Sequence, residues 1–397
     1  MTTGLAQPEL PELPVDTRVA SDYADARRQN WVARSARGLE VLRYRQGWAA
    51  LDHRKLEKGP AFLRRLDDIG LTSGPTREYW ERTLITNEGD IRERLRVPLA
   101  QLFRPAQMAK LQKQVRAIIE RALDAIEDPT SVDFMAEISW QIAPQVYCLL
   151  VSAPEELAPS VAHLSDTILS PILTNDKSRL QDSIDAVWQA HDFVKEHIEG
   201  RRRNLGDDFT SVMIRQEMEG LITYEELILQ AMGILQASMD NTVHQLGMTM
   251  GLLLEDRSRW EQVLAKPSLI PNAAEETYRL SPRFGTIFRY AREEVPFEDI
   301  VIPADSWVFV STRSAGRDEE VFEDPDSFRL GRPPARAMMF GNGPYNCLGQ
   351  TLARLEINET LKAVLERFPK IRMLGEWSTF DTNAVSETAS LRVSLVD

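Results

Sequence analysis

From residue 224 to residue 256 the chain holds its longest uninterrupted helical pattern, and both faces of that pattern are substantially apolar. A helix apolar all round belongs in the middle of a large domain. Helical periodicity also runs through residues 91–125, interrupted at Pro98 and Pro105, and Pro98 is placed to kink or end its helix. Residues 131–205 read as several helices, with Lys195, Glu196, Glu199 and Arg201 to Arg203 forming a solvated helix end. Residues 61–90, with Gly70, Gly74 and Pro75, read as a loop. Residues 17–60 read as a short strand pair plus a helix. Residues 287–311 alternate apolar and polar, with Val301-Ile302-Pro303 and Trp307-Val308-Phe309-Val310 as strands of a small sheet. A proline-bounded loop, Lys266 to Asn272, precedes a helix carrying Glu276. Another helix follows Cys347, and the tail beyond Pro369 holds strand-like pieces such as Leu391-Arg392-Val393. The pattern is mainly α with small β-sheets.

Composition narrows the function classes. The chain has 397 residues, ample for a large buried core. A formal net charge of −13 argues against a nucleic-acid partner. With two cysteines, Cys148 and Cys347, a disulfide framework is not expected and a reducing cytoplasm fits. Cys148 sits in an apolar helical stretch and reads as core. Residues Met1 to Asp16 are rich in proline and acid and hold no apolar run that could span a bilayer or form a signal peptide. A soluble protein without a membrane association is the expectation.

The run Phe340-Gly341-Asn342-Gly343-Pro344-Tyr345-Asn346-Cys347-Leu348-Gly349 concentrates the candidate chemistry. Its glycines let the backbone turn tightly and approach a flat cofactor. The helical segment from Gln350 supplies N–H groups and positive dipole that favour sulfur as thiolate. One cysteine cannot hold a four-thiolate cluster, so the fitting partner is haem iron with an axial thiolate. A buried structural cysteine beside a turn is the plainer alternative.

Phe340-x-x-Gly343-x-x-x-Cys347-x-Gly349 resembles the cysteine loop of the cytochrome P450 family of haem-thiolate monooxygenases, and further landmarks occur in order. Leu95-Arg96 with Phe103-Arg104-Pro105 resembles the helix that contacts haem propionates. Ala237-Ser238-Met239-Asp240-Asn241-Thr242 resembles the oxygen-binding stretch of the central helix. Glu276-Thr277-Tyr278-Arg279 matches the Glu-x-x-Arg helix, and Pro325 to Phe328 with Arg332 resembles the meander. The resemblance covers nearly the whole chain. It implies one cytochrome P450 domain over residues 1–397, a triangular helical part at roughly 61–286 and 335–370 with a smaller strand-rich lobe at roughly 17–60 and 287–330 plus the C-terminal strands.

By the same resemblance the cofactor is haem b, iron protoporphyrin IX, with Cys347 as metal ligand. Phe340, Gly341, Gly343, Gly349 and Ala237 border it, and Arg96 and Arg289 meet its propionates. Two positions depart from the bacterial pattern: Arg92 and Tyr345 stand where histidines are usual, and both still donate hydrogen bonds. Glu276, Arg279 and Arg332 would fix the cysteine loop structurally. Asp240, Asn241 and Thr242 would handle protons. Asn241 occupies the place of the usual threonine and Ser238 that of a glycine, so Asn241 or an ordered water relays protons from Asp240, or a polar group of the substrate assists; a solvated helix residue is the plainer alternative. None of the five histidines falls in a motif.

Carried over from the family, the pocket is lined by the stretches Ile69 to Trp80 and Ile168 to Leu180, with Gly233, Gln236, Phe284, Gly285 and Ile287. It suits a hydrophobic small molecule with a hydroxyl, ether or carbonyl, a terpenoid for example. No dinucleotide or flavin domain is legible, so electrons come from a separate ferredoxin or flavodoxin with its NAD(P)H-dependent reductase. The cations Arg94, Arg104, Lys110, Lys113 and Arg116 would dock that acidic partner. The expectation is a cytoplasmic, monomeric, bacterial-type enzyme that inserts one atom of O2 into its substrate. A peroxide-driven oxygenase, an oxidative coupling enzyme acting on a carrier-bound substrate, a haem-based sensor and a non-haem helical protein are the rivals.

Overall fold

The structure, a computed structural model, describes residues 9–14, 20–333 and 335–396; the readings that fall on residues 1–8 and 15–19 lie outside these. Two compact units emerge. The first comprises Met1–Arg64, Glu275–Cys347 and Asp381–Ser386; the second comprises Arg65–Ala274, Leu348–Phe380 and Glu387–Asp397.

The first unit is built on a five-stranded sheet in the order Val32–Ser35, Gly38–Val41, Ser306–Ser311, Thr286–Ala291, Leu56–Glu57. The alternation in Trp307 to Val310 sets its faces. Val308 and Val310 are buried in the core with Val32, Leu51, Leu56 and Ile302. On the other side Trp307 and Phe309 stack with ring centroids 5.5 Å apart. Pairing is antiparallel between Thr286–Ala291 and Ser306–Ser311, which sets Arg289 opposite Val308.

The second unit is helical. Helices Gln112–Asp124, Trp140–Val151, Ala158–Thr174, Leu180–Arg202, Tyr224–Ala237, Asp240–Leu254 and Gln350–Arg367 bury their apolar faces together. A three-stranded antiparallel sheet of Val132–Asp133, Arg392–Ser394 and Arg372–Met373 completes it. Cys148 is buried among the helices, as expected of a core residue. Among the described residues no helix is long and apolar enough to cross a membrane.

Three local readings are corrected. Residues 61–90 are not a loop but hold the helices Gly59–Ile69 and Pro75–Glu81. The glycines mark helix ends: Gly70 has φ 98°, and behind it Leu71 N–H donates to Leu66 O at 2.9 Å, a Schellman closure. Gly74, at φ 89°, precedes Pro75 at the first helical position. Pro98 neither ends nor interrupts its helix, which runs Gly89–Leu102. The carbonyl it leaves without an intrahelical donor belongs to Arg94, an exposed residue whose backbone can turn to water.

The long central pattern is the third. It is two helices, Tyr224–Ala237 and Asp240–Leu254, parted at Ser238 and Met239, and the longest helix is instead Leu180–Arg202. The first begins at a capping box, in which Thr223 Oγ1 accepts from Glu226 N–H while Glu226 accepts from Thr223 N–H. The break has an identifiable cause. Ser238 Oγ donates to Ile234 O at 2.6 Å, the back-bonding that bends helices. The carbonyl of Gln236, which would otherwise accept from residue 240, takes a hydrogen bond from Ser165 Oγ at 3.2 Å. Asp240 thereby becomes the first residue of a new helix rather than a mid-helix position.

Candidate functional site

In the first unit the cysteine loop is fixed by its own backbone. Met338–Phe340 forms one 3-10 turn, after which Gly341 and Gly343 adopt φ of 71° and 60°. At Gly343 a side chain is excluded, since a Cβ would stand 2.3 Å from Asp52 Oδ1 and 3.1 Å from Asp52 Cα. The chain doubles back until Cys347 N–H donates to Phe340 O at 2.7 Å. Tyr278 meets the Phe340 ring edge-on at 5.5 Å and props the turn from behind. Cys347 is exposed, whereas burial, seconded by Glu155 and Glu156, pushes the thiol of Cys148 up to about 11. Of the two cysteines, only Cys347 has the access and the loop geometry for a ligand.

Arg289 and Tyr345 come together in the same unit. The Arg289 guanidinium lies 4.7 Å from the Tyr345 ring centroid and donates to Phe288 O at 3.0 Å. Arg92 and Arg96 lie one turn apart on Gly89–Leu102 in the second unit; Arg92 is buried and donates to Leu84 O, while Arg96 is half-buried.

Glu276, Arg279 and Arg332 form a closed network in the first unit. Arg279 grips both Glu276 oxygens, Nε at 2.8 Å and Nη2 at 2.7 Å, and Arg332 Nε reaches Oε1 at 3.1 Å. The remaining guanidinium nitrogens hold backbone carbonyls of the segment leading to the cysteine loop. Arg279 takes Gly316, Pro325 and Ser327; Arg332 takes Glu323, Asp324 and Ser327. Phe322 lies beneath both cations. Burial pushes the Glu276 carboxyl up, but the hydrogen bonds and charge of Arg279, with help from Arg329 N–H and Arg332, win and hold it below the usual carboxylate range.

In the second unit, Gly233, Ala237 and Asn241 follow one another at four-residue intervals across the helix break. Nothing stands within 4 Å of where a Gly233 Cβ would be, and Ala237 is exposed. Asn241 Oδ1 is buried without a hydrogen-bond partner. Asp240 and Thr242 are buried beside it, and Asp240 Oδ1 lies 3.2 Å from His244 Nε2. Gln236 is engaged: its amide donates to the hydroxyl of Tyr79, also buried, at 3.0 Å. Gly349 likewise has open space around it. In the first unit, Phe284 and Ile287 are half-buried, but Gly285 is covered, with the Arg313 guanidinium carbon 2.1 Å from where its Cβ would stand.

These observations fit a flat, iron-bearing macrocycle. In the helical unit a small-residue stripe is left open across the helix break, with an orphaned buried acceptor at its end; in the first unit the exposed thiol sits in a loop closed by glycines at positive φ. Sequence reasoning passed over Tyr79 as a named partner and His244 altogether. A histidine four residues after the acid was the available signal.

The cationic surface is narrower than the sequence suggests. Arg94 pairs with Glu226, and Arg116 with Glu120 and Glu366 at 2.6 and 2.5 Å. Arg104, Lys110 and Lys113 are exposed and have no acidic partner among the described residues.

Residues 155–371 match the family model described as Cytochrome P450. The chain is similar to luteothin monooxygenase of Streptomyces thioluteus, 31% identical over 385 residues that cover 94% of each chain. It is also similar to 6-deoxyerythronolide B hydroxylase of Saccharopolyspora erythraea, 29% identical over 79% of this chain and 76% of that one. Among solved structures, the enzyme CxnD for C–S bond formation in chuangxinmycin biosynthesis superposes with a TM-score of 0.86 at 24% identity, over 99% of this chain and 98% of that one.

Proposed function

Since the chain belongs to the cytochrome P450 family, we propose that Cys347 is the axial ligand of its haem b and that the stripe Gly233, Ala237, Asn241 borders the oxygen-binding side. The protein is a monooxygenase. Bound haem b supplies the iron at which dioxygen is activated and one oxygen atom passes to an organic substrate. The chain's own residues do the rest. Glu276, Arg279 and Arg332 hold the segment before Cys347 still, so the thiolate is presented in one geometry. Arg289, Arg92 and Arg96 supply cations for the two propionates, and Tyr345 orients Arg289 by stacking against it. Gly341, Gly343 and Gly349 keep side chains out of the way of the ring, and Phe340, propped by Tyr278, borders it. Asp240 holds and gives up a proton at Oδ1, with Asn241 and Thr242 as neighbouring hydrogen-bonding groups.

Phe284 and Ile287 offer apolar contact to a hydrophobic substrate, and the Tyr79–Gln236 pair offers a polar point for an oxygen on it. The relatives' names point to small natural products of this kind. Electrons reach the protein from an acidic ferredoxin or flavodoxin docked on Arg104, Lys110 and Lys113. The observation that carries the reading is the exposed Cys347 in a loop closed by its own N–H on Phe340 O. Reduction under carbon monoxide tests it. The wild type gives the red-shifted Soret band of a thiolate-bound ferrous centre, and Cys347→Ala loses it. Persistence of the band in that variant overturns the assignment.

A second reading has its own support. Asn241 Oδ1 is a buried acceptor without a donor. A substrate hydroxyl that donates to it would satisfy the acceptor and take over the part of the usual threonine. A substrate analogue lacking that hydroxyl would then be turned over with far more electrons wasted per product.

A further inference from the structure

Gly285 has no backbone reason to be glycine. It does not adopt a positive φ, so an L side chain is conformationally allowed there. What excludes one is the Arg313 guanidinium, whose carbon, Nε and Nη1 would stand 2.1, 2.2 and 2.6 Å from a Cβ. That guanidinium is not free to swing aside. It is buried; Nη1 donates to Thr382 O at 3.0 Å, and Nη2 donates to Ser386 Oγ at 2.9 Å and reaches Asp381 Oδ1 at 3.4 Å. Displacing it would strand a buried cation. The missing side chain at residue 285 is therefore the space through which Arg313 crosses its own strand neighbour to reach the turn beyond.

That turn, Thr382 to Val385, is held far more tightly than its length requires. Arg313 takes the carbonyl of Thr382, Arg37 Nη1 takes that of Asn383 at 3.0 Å, and Arg283 Nη1 takes that of Ser386 at 2.8 Å. The two carbonyls between are used as well: Ala384 O accepts from Thr286 N–H at 3.1 Å and Val385 O from Thr382 N–H at 2.9 Å. Arg37 is itself locked by both oxygens of Glu40, at 2.6 and 2.9 Å. Connecting turns are ordinarily mobile and face water; here three arginines fix one. The same contacts fix the segment that enters strand Thr286–Ala291. Arg283 O accepts from Ser386 N–H at 2.8 Å, Phe284 bridges to Val385, and Gly285 O accepts from Thr312 and Arg313 N–H at 3.0 and 3.3 Å. All of these residues belong to the first unit.

Resting on the haem-thiolate reading above, in which Phe284 and Ile287 meet the substrate, we propose that Arg313, passing over Gly285, sets the position of that wall and so selects apolar substrates by their bulk. The residue acts through the turn Thr382 to Val385 and the Phe284 segment clamped to it; it is a positioning residue. The clamp makes the wall unyielding. A substrate broad enough to press on Phe284 must push a segment whose carbonyls are tied to Arg313, Thr312 and the turn, and each tie lost exposes a buried donor or acceptor. Narrow substrates leave the clamp untouched. An apolar pocket with one rigid wall discriminates by shape rather than by added hydrogen bonds.

Two azoles gauge the wall in the haem-loaded holoenzyme, each read by its shift of the ferric Soret band. Imidazole reports access to the iron, and 4-phenylimidazole carries a ring that must fit beside the wall. Arg313→Ala should tighten 4-phenylimidazole about tenfold, the usual scale of discrimination by an apolar pocket, and leave imidazole within about twofold. Gly285→Ala should move the ratio in the same sense by displacing the guanidinium, and the double variant should match Arg313→Ala rather than exceed it. Should Arg313→Ala not fold, Ser386→Ala removes one of its acceptors, keeps the buried charge and should shift the ratio about threefold. An unmoved ratio beside a lowered melting temperature makes the arginine a structural strut and overturns the proposal. Weaker binding of 4-phenylimidazole, or effects that add in the double variant, overturns it as well. The carbon monoxide band keeps this apart from the underlying reading. Its absence in the wild type removes the haem-thiolate assignment and this inference with it; its presence with an unmoved ratio removes this inference alone.

Discussion

Around Glu276 all six guanidinium nitrogens of Arg279 and Arg332 have partners, and the carboxylate accepts from three residues. Around Asp240 the count runs the other way: Asn241 Oδ1 and His244 Nδ1 are buried and unsatisfied, and the helix itself is interrupted. The first region has spent its hydrogen-bonding capacity on one arrangement of the chain. On the proposed reading the second keeps capacity in reserve for groups that come and go: oxygen, water, a substrate hydroxyl, a proton. A fully satisfied ionic network is rigid and intolerant of loss, and a half-satisfied one is costly unless it is used. The contrast predicts that damage to the first region shows as lost structure and damage to the second as lost chemistry.

The largest expected effect is at the network. Arg279→Ala leaves Glu276 in a buried site without its bidentate partner and frees the carbonyls of Gly316 and Pro325, a change of about 3–5 kcal/mol by the usual cost of breaking a buried ion pair. It should abolish recovery of haem-loaded protein, measured as the ratio of Soret to protein absorbance. The pH dependence follows from the sign of the shift. Glu276 is held below its ordinary value when folded, so its contribution is fully present above the usual carboxylate range and is lost as pH falls through the depressed folded value. Urea midpoints should therefore drop on acidification in the wild type and drop less in Glu276→Gln, which starts lower. Equal acid sensitivity of the two would show that the network is not under electrostatic control.

Next in size is Asp240→Asn. Turnover should fall about a hundredfold, within the span of general acid–base effects, while haem content and melting temperature stay as in the wild type. A matching loss of haem would erase the distinction between the two regions. The isosteric amide keeps the side-chain volume and a contact for His244 Nε2, so a folding defect is not expected from packing.

How far the sequence led differs between the two regions for a physical reason. The fold was legible through the family resemblance that the cysteine loop and the other landmarks carry, and the small sheet and the acid–arginine pair through local rules, strands of period two and two residues one turn apart. Even there, Gly70 and Gly74 were mistaken for a loop, because a glycine that ends a helix and one that fills a loop look alike until the neighbouring periodicity is weighed. The break at Ser238 was hidden by continuous apolarity, since a hydroxyl turned back on Ile234 O and a carbonyl borrowed by Ser165, 71 residues away in sequence, leave no mark on the pattern. His244 falls in no motif, and its four-residue spacing to Asp240 gains meaning only once the break makes Asp240 the first residue of a helix. The neutralisation of Arg94 and Arg116 depended on glutamates distant in sequence, which no local reading supplies.

A smaller effect should sharpen the contrast inside the reactive region. Tyr79→Phe removes the acceptor for the Gln236 amide, buried on both sides. A single neutral hydrogen bond is worth about 1 kcal/mol, so stability should fall by that much at most. The Gln236 amide is then left to bind an oxygen on the substrate directly, and substrate affinity, read from the Soret shift on titration, should change by about fivefold or less. A change in haem content instead would place Tyr79 with the rigid region.

The smallest effect concerns neither region's interior. Reduction by an acidic partner should slow as salt rises, but with a shallow slope, because only Arg104, Lys110 and Lys113 present unpaired charge on that surface among the described residues. Lys110→Ala should lower the reduction rate about twofold at low salt and leave it unchanged at high salt, where screening has already removed the contribution. Glu226→Gln works in the opposite sense: it releases Arg94 from its ion pair, adds a fourth cation to the surface and should speed reduction by a similar factor. If both variants reduce at the wild-type rate across the salt range, the partner docks elsewhere, and the electrons enter by a surface that the charge pattern does not mark.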